Sequence, residues 1–425
     1  MEQRLKRLGT STFVRHNAIF FIGALAIGFL NYLYYPVLGR LLQPGSFGEL
    51  QALVSIFTQI AIFLSVLGLM TVTIVTNYSN NAQRNRVIVE LEKLSLLLVF
   101  GLVAATVLSA NMLKHFFQFH STAPFLVLAF AIAASVPLMF RSSYLRGRQH
   151  FGLAAWIGVI ASAADLVLAA ALVLAGWGTT GAITGLLLGQ AIACGVAIIW
   201  ARRQGFTAPL YGSVRLPNVR LIAPELRYAL LVFISSLVMT AMYSIDTVVV
   251  KHYFDSRTAG LYAGIATVAR IVFFLSASVG QVLLPTVRLD SPVRHNQLVL
   301  FKSLLLLSAI GGSTLVIFAL LPRMVIGLLM GGTYLRYAGL LPRLSLVIFL
   351  VSLLNLFVTY HLALRHYAIG LVVILGSIVT YAQLRAHHQT LPAVINSLLY
   401  GCLAMFAAVG LWLSSVKLRY AYRST

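Results

Sequence analysis

The sequence predicts an all-α polytopic membrane protein of about twelve transmembrane helices in two six-helix lobes. Three observations predict it. The 425 residues are 60% hydrophobic and only 9% charged, with a mean hydropathy of +0.92, whereas soluble globular chains carry roughly 25% charged residues. Apolar runs of about 20 residues, the length that crosses a bilayer core, recur along the whole chain. The chain also repeats itself. Displaced by 212 residues without gaps, Phe21-Ile22 falls on Phe233-Ile234, Leu25 on Leu237, Gly48 on Gly260 and Gly68 on Gly280. A register at half the chain length points to a duplicated bundle. Six spans per copy preserve orientation, so the copies are related by a pseudo-twofold axis along the membrane normal.

Taken in order, a basic N-terminus (Arg4, Lys6, Arg7, Arg15) precedes a first span near 17–38. This run has no small-residue cleavage motif and reads as a full span. Further spans are predicted near 50–76, 93–113, 123–141, 151–174 and 180–200, completing an N-lobe of residues 1–200. A basic linker at 201–227 (Arg202, Arg203, Arg215, Arg220, Arg227) ends in LIAPELRYALL, which fits either a plain connection or a short surface helix. The C-lobe, 228–425, holds spans near 228–250, 259–286, 299–321, 339–361, 366–384 and 391–414.

The net charge of +22 comes from 31 Lys and Arg against 9 Asp and Glu. In a soluble protein it would suggest nucleic acid; in short membrane loops it sets topology. Of the 31, 22 fall in the termini and even-numbered turns and 8 in the odd-numbered turns, with Arg270 inside a span. Both termini are therefore expected in the cytoplasm. Cys194 and Cys402 lie in apolar runs, with no spacing for a disulfide or metal. The histidines lack metal-ligand spacing. No Gly-rich phosphate loop, paired loop carboxylates or Ser/His/Asp grouping is present, so no enzyme activity, cofactor or metal is expected.

Ionisable groups inside apolar spans are the sharpest functional signal, because each costs at least ~2.5–3.5 kcal/mol to insert. Asp246 lies in span 7 and Arg270 in span 8. Span 7 aligns Ser236, Thr240, Tyr243 and Thr247 on one face, and span 8 aligns Thr267, Arg270, Ser278 and Gln281. The repeat counterparts are Gly28, Asn31 and Tyr35 on span 1 and Gln51, Ser55, Gln59 and Ser65 on span 2. Four polar stripes together suggest a hydrated cavity between lobes; singly, such residues more often mediate helix contacts. Arg270, near the midplane, fits either an anionic ligand, through its paired N–H donors, or a structural pairing with Asp246. Depth argues against the pair: counted from the span ends, the two residues differ by roughly 10 Å at 1.5 Å per residue. Asp165, in ASAADLVLAA, is a candidate for ion coupling, as is Asp246; Asp165 equally fits a buried hydrogen bond to a neighbouring helix. Arg323, Arg336 and Arg343 make one odd-numbered turn unusually basic, fitting either an anionic product or the membrane interface.

The stretch 245–287, IDTVVVKHYFDSRTAGLYAGIATVARIVFFLSASVGQVLLPTV, resembles the span 7–8 signature of the polysaccharide transporter (oligosaccharide flippase, Wzx-like) family. That family belongs to the multidrug/oligosaccharidyl-lipid/polysaccharide (MOP) superfamily. Asp246, Lys251-His252, Gly260-Leu261-Tyr262, Arg270 and Pro285 carry the resemblance. It extends to YPVLGRLLQPGSFGELQAL (35–53), YLRGRQHFGLAA (144–155), GWGTTGAITG (176–185) and MGGTYLRYAGLL (330–341). It implies a MOP-type bundle whose V-shaped central cavity is lined by spans 1, 2, 7 and 8. The implied activity is flipping of an isoprenoid-pyrophosphate-linked glycan from the cytoplasmic to the outer leaflet by alternating access. The substrate-binding set is then Arg270, Asn31, Tyr35, Gln59, Tyr243, Thr267 and Gln281, with H+ or Na+ as candidate coupling ion. The expected partners are the lipid-linked glycan and membrane lipid, and no nucleic acid. The expected location is the plasma (inner) membrane of a prokaryote.

The main alternative is an ion-coupled multidrug or small-cation antiporter of the same superfamily, whose cavity should carry more acids than Asp165 and Asp246. A membrane glycan polymerase or ligase is less favoured, because the longest loop on the outer side has only about 17 residues to hold catalytic groups.

Overall fold

The computed structural model describes residues 2–78, 80–206, 243–275, 279, 283, 287, 292–364 and 368–423, with side chains from 22 to 411 except 362 and 368. Every regular element among them is helical. In chain order these are α1 (Glu2–Leu41), α2 (Pro44–Asn77), α3 (Asn81–Phe116), α4 (Ala123–Gly147), α5 (Phe151–Leu172) and α6 (Gly178–Arg203). Then come α7 (243–253), α8 (Ser256–Ala269), α9 (Val293–Leu320), α10 (Pro322–Leu329), a 3-10 helix (Gly332–Leu340), α11 (Leu341–Ala363), α12 (Ala368–Ala386) and α13 (Leu391–Arg423).

Ten stretches among the described residues are long and apolar enough to cross a bilayer. One of them, Phe151–Arg203, is 53 residues long and contains both the predicted fifth and sixth spans. They join at a tight kink around Val173–Trp177, where Gly176 (φ 90°) and Gly178 (φ 52°) take left-handed backbone angles that favour glycine. The predicted seventh span lies largely outside the described residues, α7 being its last part. The chain is thus a multi-pass, all-helical membrane protein with ten to twelve candidate spans. Its contacts divide into two compact units, Met1–Phe233 and Ile234–Thr425.

In unit 1, glycines let the helices approach closely. Gly181, Gly185 and Gly189 recur every fourth residue on α6, and a Cβ on them would collide with Trp177, Ala169 and Asp165 respectively. This small-residue stripe is a common way to pack helices where lipid supplies no hydrophobic drive. Gly23 and Gly158 bring α1 and α5 together in the same manner, and Gly68 and Gly147 fit α2 against α4.

Polar clamps hold both ends of unit 1. At one end the buried Glu49 carboxylate of α2 accepts from the His120 backbone N–H (3.1 Å) and from the Thr179 hydroxyl of α6 (2.8 Å). The His120 ring Nδ1 also lies 2.8 Å from it. At the other end Arg141 of α4 pairs with Glu92 of α3, both buried. Beside them Arg84 donates to the Tyr144 hydroxyl (3.2 Å), and the Tyr144 and Phe206 rings meet edge to face at 4.8 Å. One clamp gathers the α1–α2, α3–α4 and α5–α6 turns; the other gathers the start of α3 and the ends of α4 and α6. That is the up-and-down order expected of successive spans.

In unit 2, the stretch Ser256–Leu275 that begins with α8 is the most enclosed candidate span among the described residues, with 72% of its apolar window buried, against 11% for α3. Tyr334 of the 3-10 helix lies on Gly264 of α8, and Phe349 of α11 on Gly311 of α9. Val279, Leu283, Leu307, Leu356 and Tyr360 form an apolar core. Gly376 and Gly401 seat α12 against α13. Cys194 and Cys402 are buried free thiols, one in each unit.

Candidate functional site

The candidate site in unit 2 is built by the α7–α8 hairpin. Its turn is fixed by Asp255, whose side chain accepts from the Thr258 N–H at 2.9 Å and caps α8. That N–H holds the Asp255 carboxyl below its usual value. The cap sets α8 antiparallel to α7, so residues before and after the turn face one another.

Arg270 closes α8 and lies across from α7. Its Nη2 donates to Asp246 Oδ1 at 2.7 Å and to the Thr247 hydroxyl at 2.6 Å. Its Nε donates to the Tyr243 carbonyl at 3.3 Å, and its guanidinium stands 5.0 Å from the Tyr243 ring centroid. The second Asp246 oxygen accepts from the Tyr262 hydroxyl at 2.9 Å. Arg270, Asp246, Thr247 and Tyr262 are all buried. The group is a nearly complete charge-assisted network sealed inside the unit.

This corrects the expectation, from depth, that Arg270 and Asp246 do not pair directly. Counting along two straight axes left out the direction of the side chains. On an α-helix each Cα–Cβ bond leans toward the N-terminus. Because α7 and α8 are antiparallel, Asp246 leans away from the hairpin turn and Arg270 leans toward it. The two lean toward one another, and the long Arg stem covers the rest.

Tyr262 is the functional candidate that residue typing missed. It is present in the family-like motif, but a lone tyrosine in an apolar span reads as core. The available signal was its place on α8, eight residues before Arg270 and so within a quarter turn of the same face.

The other sequence candidates separate. Thr267 is buried, and its hydroxyl donates back to the Ala263 carbonyl (2.8 Å). Ser55 and Ser65 on α2 likewise donate to their own helix, to Gln51 O and Ile62 O. Such back-bonding is the ordinary way a hydroxyl is accommodated in an apolar helix. Asn31 is exposed, Tyr35 and Gln59 are half-buried, and all three belong to unit 1. Tyr35 meets Tyr34 edge to face at 5.7 Å, and the Tyr34 hydroxyl donates to the Ala182 carbonyl of α6. Gln281, Ser236, Thr240 and Ser278 lie outside the described residues.

Asp165 sits in the middle of α5, buried beside Gly189 of α6. Gln190 donates to its Oδ2 at 2.9 Å, while its Oδ1 has no hydrogen-bond partner among the described residues. No ion pair reaches it among those residues either. Also among them, no three His, Cys, Asp or Glu side chains gather into a metal-binding group.

The sequence profile of a family described as polysaccharide biosynthesis protein matches residues 14–288. No curated protein sequence matches the chain. Among solved structures, the lipid II flippase MurJ in an inward closed conformation superposes with a TM-score of 0.73 at 13% identity, covering 92% of this chain and 87% of that one. A multidrug resistance MATE family transporter of the MOP superfamily in an inward-facing conformation gives 0.67 at 15% identity, covering 94% and 96%. An outward-facing conformation of such a transporter gives 0.62 at 15% identity, covering 97% and 96%. At these identities the likeness is one of fold, and the fold is shared with these transporters.

Proposed function

The chain belongs to the polysaccharide biosynthesis protein family, and from that premise we propose that it is a Wzx-like flippase. It carries an isoprenoid-pyrophosphate-linked glycan from the cytoplasmic to the outer leaflet. The observation that carries the proposal is the family match together with a fold shared with a lipid II flippase along almost the whole chain. A glycan head group cannot cross ~30 Å of hydrocarbon unaided, whereas its isoprenoid tail stays at home in the bilayer. Alternating access of a V-shaped cavity between two six-helix lobes supplies a path for the head group alone. The lobes are residues 1–200 and 228–425, joined by a cytoplasmic linker.

Arg270 is the candidate ligand for pyrophosphate, with Tyr243 and Thr267 beside it and Gln281, Asn31, Tyr35 and Gln59 as further lining groups. In the structure its charge is held by Asp246, so substrate would have to take the guanidinium over from that carboxylate. The exchange costs least if Asp246 gains a proton or cation as it loses Arg270, giving one route for ion coupling. Asp165 offers a second: a buried carboxyl with no cationic partner among the described residues suits a site that binds and releases H+ or Na+.

The test is the leaflet position of radiolabelled lipid-linked glycan in cells lacking the protein, with and without the wild-type gene restored. Accumulation on the cytoplasmic face that only the restored gene clears is the expected result. Arrival at the outer face without the protein contradicts the proposal and turns attention to cation efflux.

A further inference from the structure

The connection between α9 and α11 is itself folded. Leu321 leads into α10, Gly331 turns in a left-handed conformation (φ 95°), and the 3-10 helix returns to α11. One side of this segment is anchored: Ile326, Met330, Tyr334, Ala338 and Leu341 are buried, with Tyr334 seated on Gly264 of α8. The other side is also apolar. Leu321, Met324 and Leu328, spaced i, i+3 and i+7, are 49, 65 and 67% exposed. They continue the exposed apolar face that Ile317 and Leu320 begin at the end of α9.

Two observations say what covers that face. The first is length. A helix of 8 residues reaches only about 12 Å, less than half a bilayer core, so α10 is too short to span the membrane. The second is charge. Arg323, Arg336 and Arg343 are exposed and have no ion pair among the described residues; Arg336 has only the neighbouring Tyr337 ring, at 5.6 Å. From residue 291 to 425 the sequence contains no Asp or Glu. Three arginines in one turn also run against the Lys/Arg distribution that assigns this turn to the outer side. Among the described residues the chain supplies them no carboxylate.

We propose that residues 321–343 form an interfacial docking surface for anionic phospholipid of the outer leaflet. Met324 and Leu328 lie among the acyl chains, and Arg323, Arg336 and Arg343 meet the phosphate headgroups. Assignment to the outer leaflet rests on the flippase orientation proposed above; the lipid chemistry rests on this segment alone.

The test uses the full-length protein with Cys194→Ala and Cys402→Ala, reconstituted in mixed phosphatidylcholine and phosphatidylglycerol nanodiscs. A bimane label on Leu328→Cys is quenched by nitroxide-bearing phosphatidylglycerol or, separately, nitroxide-bearing phosphatidylcholine. A label on Leu306→Cys, an exposed apolar position on α9, is the control. Phosphatidylglycerol is expected to quench residue 328 about twofold more than phosphatidylcholine, and residue 306 equally. The excess should vanish in 1 M salt and in the triple variant Arg323→Gln, Arg336→Gln, Arg343→Gln. An unchanged melting temperature and an unchanged signal at residue 306 establish that this variant is folded. Equal quenching in the wild type, or a preference that survives the triple variant, overturns the proposal. So does a residue 328 label that neither lipid reaches. The measurement is made on resting protein, so a failed flippase assignment leaves its outcome unaffected.

Discussion

Asp165 and Asp246 are both aspartates buried within apolar helices, one in each unit, yet only Asp246 has a cation among the described residues. Asp246 is held by Arg270 and Tyr262, one oxygen each. Among the described residues Asp165 receives one amide donor, from Gln190. The difference teaches that burial of a carboxylate has two separate physical solutions. Pairing fixes charge inside the fold and makes each partner costly to remove. A neutral donor beside a small-residue contact satisfies one carboxyl oxygen and brings no cation to it.

The largest predicted effect breaks the paired side. Arg270→Ala leaves Asp246 as an uncompensated buried charge and should destabilise unit 2 by ~3–5 kcal/mol, read as a lower denaturant midpoint. The double variant Asp246→Asn, Arg270→Gln removes both charges and should recover most of that loss. A double variant as unstable as the single would mean that packing, rather than charge, holds the hairpin.

A smaller effect tests how Asp165 is enclosed. Gly189→Ala drives a Cβ into the Asp165 backbone and should cost about 1–3 kcal/mol by overpacking. Asp165→Asn keeps the shape and the Gln190 contact. It should change the midpoint by less than about 1 kcal/mol while making glycan export insensitive to an imposed ion gradient. Retained sensitivity would remove Asp165 from coupling.

A comparably small effect lies at the hairpin turn that brings Arg270 to Asp246. Asp255→Ala should cost about 1 kcal/mol through loss of the α8 cap. The folded Asp255 carboxyl lies below its ordinary value because the Thr258 N–H favours the charged form. Its stabilising contribution is therefore complete above the ordinary carboxylate value and is lost as pH falls through the lower folded one. Asp255→Asn keeps a capping oxygen and should abolish that pH dependence, seen in melting curves between neutral and acid pH.

The helical bundle was legible in the sequence because a bilayer imposes its own length scale: apolar runs such as 93–113 and 299–321 fall within or almost within α3 and α9. The inner arrangement was less legible. The Gly181, Gly185, Gly189 stripe is visible as spacing, but its partner helix is not. Arg270 and Asp246 were both identifiable as costly intramembrane charges. Their pairing was hidden because depth along an axis says nothing about which way a side chain leans. Glu49 escaped notice because it stands just ahead of the predicted second span, where an acid costs little. The structure buries it under two turns brought close only by folding.

The most direct test of the central claim measures, in one set of cells, the leaflet position of lipid-linked glycan and the stability of the purified Asp246→Asn, Arg270→Gln double variant. The account predicts a folded protein with a near-normal melting temperature that leaves glycan on the cytoplasmic face, because Arg270 is needed for pyrophosphate as well as for Asp246. A double variant that is equally stable and clears the glycan at the wild-type rate would contradict it, leaving the pair a structural tie and nothing more.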